Sequence, residues 1–464
     1  MKLITTIILL ISTLTAGSAG APHLEGGDLS ILWVVPFVGI LLSIAIFPLV
    51  ASDFWHHNFG KISAFWATLF ILPFMFSQGW QITLYEVLHV GLLEYIPFII
   101  LLLALFTISG GVQLTGSLVG TPIINTAIIL VGTLLASWMG TTGAAMLLIR
   151  PLLRANKERK YKVHIVVFFI FLVANIGGSL TPLGDPPLFL GFLKGVDFFW
   201  TTKAMFLPML FMVISLLIIF YIYDTIQFKK EEPLPQVSSK EKIGIKGSFN
   251  LLLIFGVICS VLLSGFWKPN IEFTIYHVHV ELQNIIRDIL LLLLAYGSWK
   301  LTIKEIREAN EYTWFPIQEV AKLFAGIFIT IIPAIAILKA GTSGALAGII
   351  NSVSSDSGPV NNMYFWLTGI LSSFLDNAPT YLVFFNTAGG DPQVLMGELS
   401  QTLLAISAGA VFMGANTYIG NAPNFMVKSI AESSGIEMPS FFGYFLYSLI
   451  ILFPLFGVIS LLFF

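Results

Sequence analysis

Two aspartates stand inside helix-breaking segments of long apolar stretches, where an ionisable side chain is costly. Asp185 lies in residues 181–187, which contain three prolines and Gly184, and Asp376 lies in residues 376–380 beside Pro379. A carboxylate at such a depth predicts a functional site. Because neither segment contains Lys or Arg, the site stabilises a cation, and oxygen ligands alone favour a hard ion such as Na+.

These two residues predict an exchange chemistry. A buried carboxylate that carries either Na+ or a proton across a membrane, and rarely crosses empty, couples the two fluxes. We therefore interpret Asp185 and Asp376 as Na+ ligands, with Na+ and H+ as the transported ions and without a resident cofactor.

Neutral oxygen ligands are available in and beside the same breaks. Unwound backbone inside a membrane is tolerated only where it lines a cavity or binds a ligand. The candidate ligands besides the two aspartates are Thr141, Thr142, Asn175, Thr181, Asn377, Thr380, Asn416, Thr417 and Asn421. The alternative for each of these side chains is that it caps or braces a broken helix and binds no ion.

The composition indicates that lipid is the main solvent of the chain. Of 464 residues, 56% are hydrophobic and only 10% are charged, against roughly 25% charged in soluble domains. The net charge of -2 gives no signal of polyanion binding, and we expect no nucleic-acid partner because the basic stripe that it would need is absent. A nucleophile–base pair, an HExxH motif and a phosphate loop are all missing from the sequence, so we expect a transporter in the lipid bilayer of the cell (inner) membrane and not an enzyme.

Apolar stretches predict ten spans and two re-entrant hairpins. Residues 1–19 resemble a secretory signal, with an extra span as the alternative. The hairpins are predicted at 121–154 and 361–388. The spans are predicted near 30–50, 61–78, 95–119, 163–193, 198–223, 248–267, 284–303, 316–348, 400–430 and 441–464.

An internal repeat appears when the chain is shifted by 236 residues. The shift aligns Pro97 with Pro333, Asn125 with Asn361, Ser137 with Ser373, Gly178 with Gly414, Thr181 with Thr417, Gly184 with Gly420, Pro187 with Pro423 and Phe189 with Phe425. Each half then holds five spans, one hairpin and one broken helix. Because five is odd, the second copy must be inverted, as in secondary transporters. The predicted fold is an all-α polytopic membrane protein with two inverted repeats, 30–223 and 248–464, joined by a cytoplasmic linker at 224–247.

Positive charge orients this arrangement. Residues 150–162 carry six basic side chains and residues 224–247 carry five, which places both segments in the cytoplasm. Residues 20–29 are then expected outside.

Residues 177–189, Gly-Gly-Ser-Leu-Thr-Pro-Leu-Gly-Asp-Pro-Pro-Leu-Phe, resemble the NhaD-type sodium/proton antiporters of the ion transporter superfamily, and residues 373–380 and 414–423 extend the likeness. The superfamily also includes citrate/metal, arsenite and dicarboxylate transporters. The resemblance implies scaffold helices, a mobile domain that holds both hairpins and both broken helices, and frequent homodimers that move the site as an elevator. It carries Asp185, Thr181, Asp376, Asn377 and Thr380 over as ion-site residues.

The resemblance leaves a second function open. Superfamily members that bind carboxylates commonly have Ser-Asn-Thr at their hairpin tips, whereas the first tip here is Gly140-Thr141-Thr142. We therefore predict Na+ (or Li+) for H+ exchange, with a cation- or proton-coupled citrate or dicarboxylate symporter as the alternative.

Further ionisable residues lie near the predicted outer surface. Glu86, His89 and Glu94 share a helical face before the third span, which suits either a wet surface or pH sensing. Lys339 lies deeper, where Asp376 is a conceivable partner.

Overall fold

The computed structural model describes residues 22–116, 118–231, 242, 244–355 and 358–464. The signal-like segment predicted at 1–19 lies outside the described residues, as do positions 232–241 and 243 of the predicted linker.

Long apolar helices dominate the described residues and confirm an all-α polytopic membrane protein. Eight described helical segments are long and apolar enough to cross a membrane, and a ninth candidate bends by 41° between Thr330 and Ile332. The eight segments are Ile31–Val50, Ser52–Gln78, Trp80–Ser109, Pro122–Met139, Val163–Leu180, Phe198–Phe228, Phe249–Phe266 and Phe441–Phe463.

The described helices divide at the predicted linker. Those before it are α1 Val35–Val50, α2 Ser52–Gln78, α3 Trp80–Val90, α4 Ile96–Ser109, α5 Pro122–Met139, α6 Thr141–Ala155, α7 Val163–Leu172, α8 Pro186–Leu193 and α9 Phe198–Phe228. Those after it are α10 Phe249–Phe266, α11 Leu282–Leu301, α12 Lys304–Ala309, α13 Phe315–Thr330, α14 Ile332–Lys339, α15 Ala347–Val353, α16 Asn361–Phe374, α17 Asn377–Thr387, α18 Pro392–Met396, α19 Ser400–Met413, α20 Ala422–Ser433 and α21 Phe441–Phe463.

Strands are short and form antiparallel pairs. They are β1 Gln113–Thr115 with β2 Gly244–Lys246, β3 Glu272–Ile275 with β4 Val278–Glu281, and β5 Ser354–Ser355 with β6 Gly358–Pro359. The first pair ties the end of the third span to the start of the second half.

The span limits differ from the prediction at several places. The third span begins at Trp80 and ends at Ser109, because α3 continues into α4 through the π-helical turn Gly91–Tyr95. The span predicted at 316–348 bends and its second helix ends at Lys339. Helix α9 runs to Phe228, so it includes the first five residues of the predicted linker.

The offset of 236 residues recurs in the structure. Helices α4, α6 and α8 begin at residues 96, 141 and 186, and α14, α17 and α20 begin at 332, 377 and 422. Side-chain contacts repeat as well, since Thr181 donates to the carbonyl of Ser137 and Thr417 donates to that of Ser373. These matches support the repeat, while the inversion of the second copy stays a prediction.

The interior of the protein holds the broken helices. Helix α7 is buried from His164 to Leu172, and α19 is buried from Thr402 to Met413. Each of these helices runs into a short 3-10 turn, Ile176–Leu180 or Gly414–Asn416, before an extended break and the next helix. The breaks therefore lie among protein and not against lipid, as unpaired backbone requires.

Candidate functional site

The break before α8 follows from its local sequence. Pro186 and Pro187 lack the N–H groups that a continuing helix would need. Gly184 approaches Gly178 so closely that a Cβ atom would lie 2.1 Å from the carbonyl oxygen of Gly178. Both Thr181 and Asp185 adopt extended backbone at the edges of the break.

Asp185 is the centre of a hydrogen-bonded site built by four segments. Its side chain is 1% exposed. One oxygen, Oδ1, accepts from Thr141 Oγ1 at 3.2 Å and from Asn421 Nδ2 at 3.0 Å. The other, Oδ2, accepts from Asn377 Nδ2 at 2.6 Å. Both hairpin tips and both breaks therefore meet at one carboxylate.

The first hairpin tip is held against the same break by its backbone. Gly140 separates α5 from α6 with a positive φ of 81°, which a residue with a Cβ atom rarely adopts. The N–H of Thr141 donates to the carbonyl of Gly184 at 2.9 Å. This contact places the first turn of α6 beside Asp185.

Asp376 has a local role at the second hairpin tip. Its Oδ1 accepts from the backbone N–H of Ala378 at 3.0 Å and so caps α17. Thr380 Oγ1 donates to the Asp376 carbonyl at 2.9 Å. The carboxylate also lines the cavity described below, so capping and ion binding are compatible for this residue.

The hydroxyls of Thr181 and Thr417 brace the breaks against the hairpins. Besides donating to Ser137 and Ser373, each accepts from its own break, Thr181 from Leu183 N at 3.2 Å and Thr417 from Gly420 N at 3.1 Å. These contacts fix the backbone, whereas the predicted use of the two hydroxyls as ion ligands stays a prediction.

Amide side chains connect the two breaks. Asn421 Nδ2 donates to Asn175 Oδ1 at 3.3 Å, and Asn175 Nδ2 donates to Asn424 Oδ1 at 2.7 Å. Asn416 Nδ2 donates to Ser373 Oγ at 2.8 Å. The buried oxygens Asn377 Oδ1 and Asn416 Oδ1 have no hydrogen-bond partner among the described residues, so both can accept a further ligand.

A cavity of about 350 Å³ lies against this site. Asp185, Asp376, Thr141, Thr142 and Asn421 are among its lining residues, together with many apolar side chains. Its lining includes one further carboxylate, Glu319, and no Lys or Arg among the described residues. The cavity also reaches Pro48, His56 and Phe315, at the side that the basic loops assign to the cytoplasm.

Two parts of the site are missed by reasoning from sequence. Asn424 is fully buried and donates to the carbonyls of Gly414 and Thr417, both at 2.8 Å. The repeat gives no hint of it, because its counterpart at the offset of 236 is Leu188. Glu319 accepts from Trp55 Nε1 at 3.2 Å, and a lone acid in the apolar eighth span is the signal that could have found it.

The comparison with protein families agrees with the class of protein that this geometry indicates. The family model described as "Putative citrate transport" matches residues 26–464. No curated protein matches the chain.

Proposed function

The chain belongs to the citrate-transport family, and from this premise we propose that it is a secondary active transporter that carries citrate or a dicarboxylate together with Na+ or protons. Family membership favours this alternative over simple Na+/H+ exchange. It also supports the likeness to the ion transporter superfamily, whereas the NhaD type stays a prediction.

The observation that carries the proposal is the size of the cavity beside Asp185. A water molecule takes about 30 Å³ in the liquid, and Na+ needs no more room than that. Pockets for small organic ligands begin at roughly 300 Å³. A cavity of about 350 Å³ therefore has room for an organic acid as well as its accompanying cations.

The charges that line the cavity explain why cations accompany the substrate. Asp185, Asp376 and Glu319 all face it, and no described Lys or Arg does. A free polyanion would be repelled, whereas a carboxylate that arrives with Na+, with a proton or as a metal complex is neutralised. The N-terminal turn of α6 at Thr142 and Gly143 adds backbone N–H groups and a positive helix end, which suit a carboxylate.

Na+/H+ exchange is the second candidate, and one observation favours it. Asn377 donates directly to Asp185, yet its buried Oδ1 has no partner among the described residues. An oxygen of this kind beside a carboxylate suits a bare Na+ ion that competes with a proton.

We further propose alternating access of the elevator type. In this arrangement a mobile transport domain contains the two hairpins and the two broken helices, residues 122–193 and 361–433, together with α9 and α21. The remaining helices form a scaffold. A homodimer in the cell (inner) membrane, with the scaffold at the interface, is part of the same proposal.

Purified protein in liposomes separates the two candidates. Uptake of radiolabelled citrate and of succinate is measured under an imposed Na+ or proton gradient. In parallel, a pH dye trapped in the vesicles reports proton movement when NaCl or LiCl is added without any carboxylate. Citrate uptake that requires one of the gradients supports the symporter. A dye response to NaCl alone, with no carboxylate uptake under any gradient, would replace it with the exchanger.

A further inference from the structure

An ion pair at the outer end of the molecule joins the expected transport domain to the scaffold. Lys194 Nζ lies 2.5 Å from Glu94 Oε1. The Glu94 side chain is 5% exposed and that of Lys194 is 19% exposed. Such a pair is costly to break, because a charge left alone in a buried position loses its compensation.

Lys194 is linked to the binding site by a single short helix. It directly follows α8, and Asp185 directly precedes the same helix. Eight helical residues span about 12 Å at 1.5 Å per residue. A displacement of α8 that carries Asp185 across the membrane must therefore carry Lys194 with it.

Glu94 lies in the scaffold, in the π-helical turn Gly91–Tyr95 between α3 and α4. Turns of this kind inside helices occur frequently at functional sites. Its second oxygen, Oε2, is buried and has no hydrogen-bond partner among the described residues. Lys194 is the described residue that neutralises Glu94 by direct contact.

The surrounding charges do not replace Lys194. Four other ionisable residues lie near enough to interact electrostatically with the pair or with one another, but none of them contacts Glu94 as a described ion pair. They are Glu86 and His89 on α3, Lys339 at the end of α14, and the exposed His23. The structure places Lys339 in this group, instead of beside Asp376. When Lys194 moves away, Glu94 is left as a buried carboxylate.

We propose that the Lys194–Glu94 pair is an outer gate, which holds the cavity open toward the cytoplasm, and that Glu94 takes up a proton from the outer solution when the gate opens. The proton binds one carboxylate oxygen and leaves when Lys194 returns, so the group is neutral in one state and paired in the other. This inference rests on the alternating access proposed above. It adds to it a proton-binding residue on the scaffold, separate from the site at Asp185.

Labelling of the cavity tests the gate without any substrate. Ala422→Cys, in a Cys259→Ser background, places a thiol at an exposed position of the cavity lining beside Asn421. In inside-out vesicles a membrane-impermeant maleimide then reports cytoplasmic access. Acid in the vesicle lumen, which is the outer side, should slow labelling in this reference protein. Glu94→Gln mimics the protonated state, in which a smaller fraction of the molecules is open to the cytoplasm. Its labelling should therefore be slower than that of the reference protein by at least about threefold. The labelling rate should also be independent of luminal pH.

Matched variants separate the gate from its neighbours. Lys194→Met should also slow labelling, whereas Glu86→Gln and His89→Gln should keep the pH dependence of the reference protein. Lys304→Met removes an exposed ion pair with Glu308 and should change nothing. If Glu94→Gln labels like the reference at every luminal pH, the gate is refuted.

A charge-exchanged variant covers the case in which Glu94→Gln does not fold. Lys194→Glu combined with Glu94→Lys keeps an ion pair at this contact, so the Ala422→Cys thiol should label faster than in the Lys194→Met variant. Labelling as slow as in Lys194→Met would refute the gate. The labelling assay contains no carboxylate, so it tests the gate independently of the substrate. If the gate behaves as expected but the protein takes up no citrate, only the proposed substrate is contradicted.

Discussion

Asn377 Nδ2 lies 2.6 Å from Asp185 Oδ2, although the two residues are 192 positions apart in the chain. The hydrogen bond joins the tip of the second hairpin to the break of the first half. Since Thr141 and Asn421 donate to the other oxygen, the carboxylate is positioned by three donors from three segments. A ligand that displaces Asn377 or Asn421 must break a contact between the two halves, which couples occupancy of the site to the arrangement of the hairpins.

Asp185→Asn should abolish coupled transport while the protein still folds. Asparagine keeps the size of the side chain but replaces one acceptor by an NH2 group that faces the donors Asn377, Asn421 or Thr141. Because the neutral amide no longer stabilises a bound cation, uptake should fall by at least about tenfold, which corresponds to about 1.4 kcal/mol of binding free energy. Gradient-driven citrate uptake in liposomes measures this.

Asp197→Asn is the matched control for Asp185→Asn. Asp197 is exposed and precedes α9 without a side-chain cap, so its uptake should equal that of the unmodified protein. Full uptake by Asp185→Asn, in protein that elutes normally on gel filtration, would contradict a cation site at this carboxylate.

Asp376 should separate capping from cation binding. Asp376→Asn retains an oxygen that can accept from Ala378 N, and so preserves the cap of α17, but removes the charge. We expect normal thermal stability and a clearly weaker dependence on the coupling cation. Asp376→Ala should lose stability as well, by about 1 kcal/mol for a lost cap. Uptake and cation dependence of Asp376→Asn identical to those of the unmodified protein would leave Asp376 as a cap only.

Much of the site could be predicted from the chain because prolines and glycines act locally. Pro186 and Pro187 can begin a helix but disfavour continuing one from the preceding residues, and Gly184 favours irregular backbone, so the position of Asp185 in a break needs no knowledge of the fold. The repeat offset of 236 residues then identifies the second break and both hairpin tips. Agreement between the two halves makes each assignment stronger than either break alone.

Contacts that depend on how helices pack could not be predicted in this way. Glu94 and Lys194 are 100 positions apart and share no motif. Lys339 lies near Glu86 and Glu94, whereas its depth in an apolar stretch suggests Asp376. Asn424 breaks the repeat and is therefore invisible to it. Asp224 falls in the predicted cytoplasmic linker, yet α9 extends past it and its side chain is 0% exposed.

Gly184→Ala should destabilise the protein through the break itself. The new methyl group would overlap the carbonyl oxygen of Gly178, since the two atoms would be 2.1 Å apart, and backbone cannot rotate away as a side chain can. Overpacking of a buried site costs about 1–3 kcal/mol, so the melting temperature in detergent should fall. Gly297→Ala is the control, because its Cβ meets nothing within 4 Å and alanine favours the helix α11. An unchanged melting temperature for Gly184→Ala would contradict the close packing of Gly184 against Gly178.

Arg159→Met should be strongly destabilising without any change in substrate preference. Arg159 Nη2 lies 2.6 Å from Asp224 Oδ1, and both side chains are fully buried. Removal of one partner leaves an uncompensated charge, which costs about 3–5 kcal/mol, although His164 and Asn125 still contact Asp224. Chemical denaturation in detergent measures the loss. Lys304→Met, at an exposed pair, serves as the control and should leave stability unchanged. Equal stability of the two variants would contradict a structural role for the buried pair.

The inverted arrangement of the halves is tested by the sidedness of two loops. The first hairpin is followed by a basic loop that contains Lys157, and Ser355 precedes the second hairpin in β5. If the second copy is inverted, the two hairpins enter from opposite sides, so these positions must face opposite solutions. In a Cys259→Ser background, Lys157→Cys should react with an impermeant maleimide only from the cytoplasm, and Ser355→Cys only from outside. The parent with Cys259→Ser alone should not react. Reaction of both cysteines from one side would mean that the halves are parallel. A movement in which the two halves exchange equivalent conformations could then no longer expose the cation site to each solution in turn.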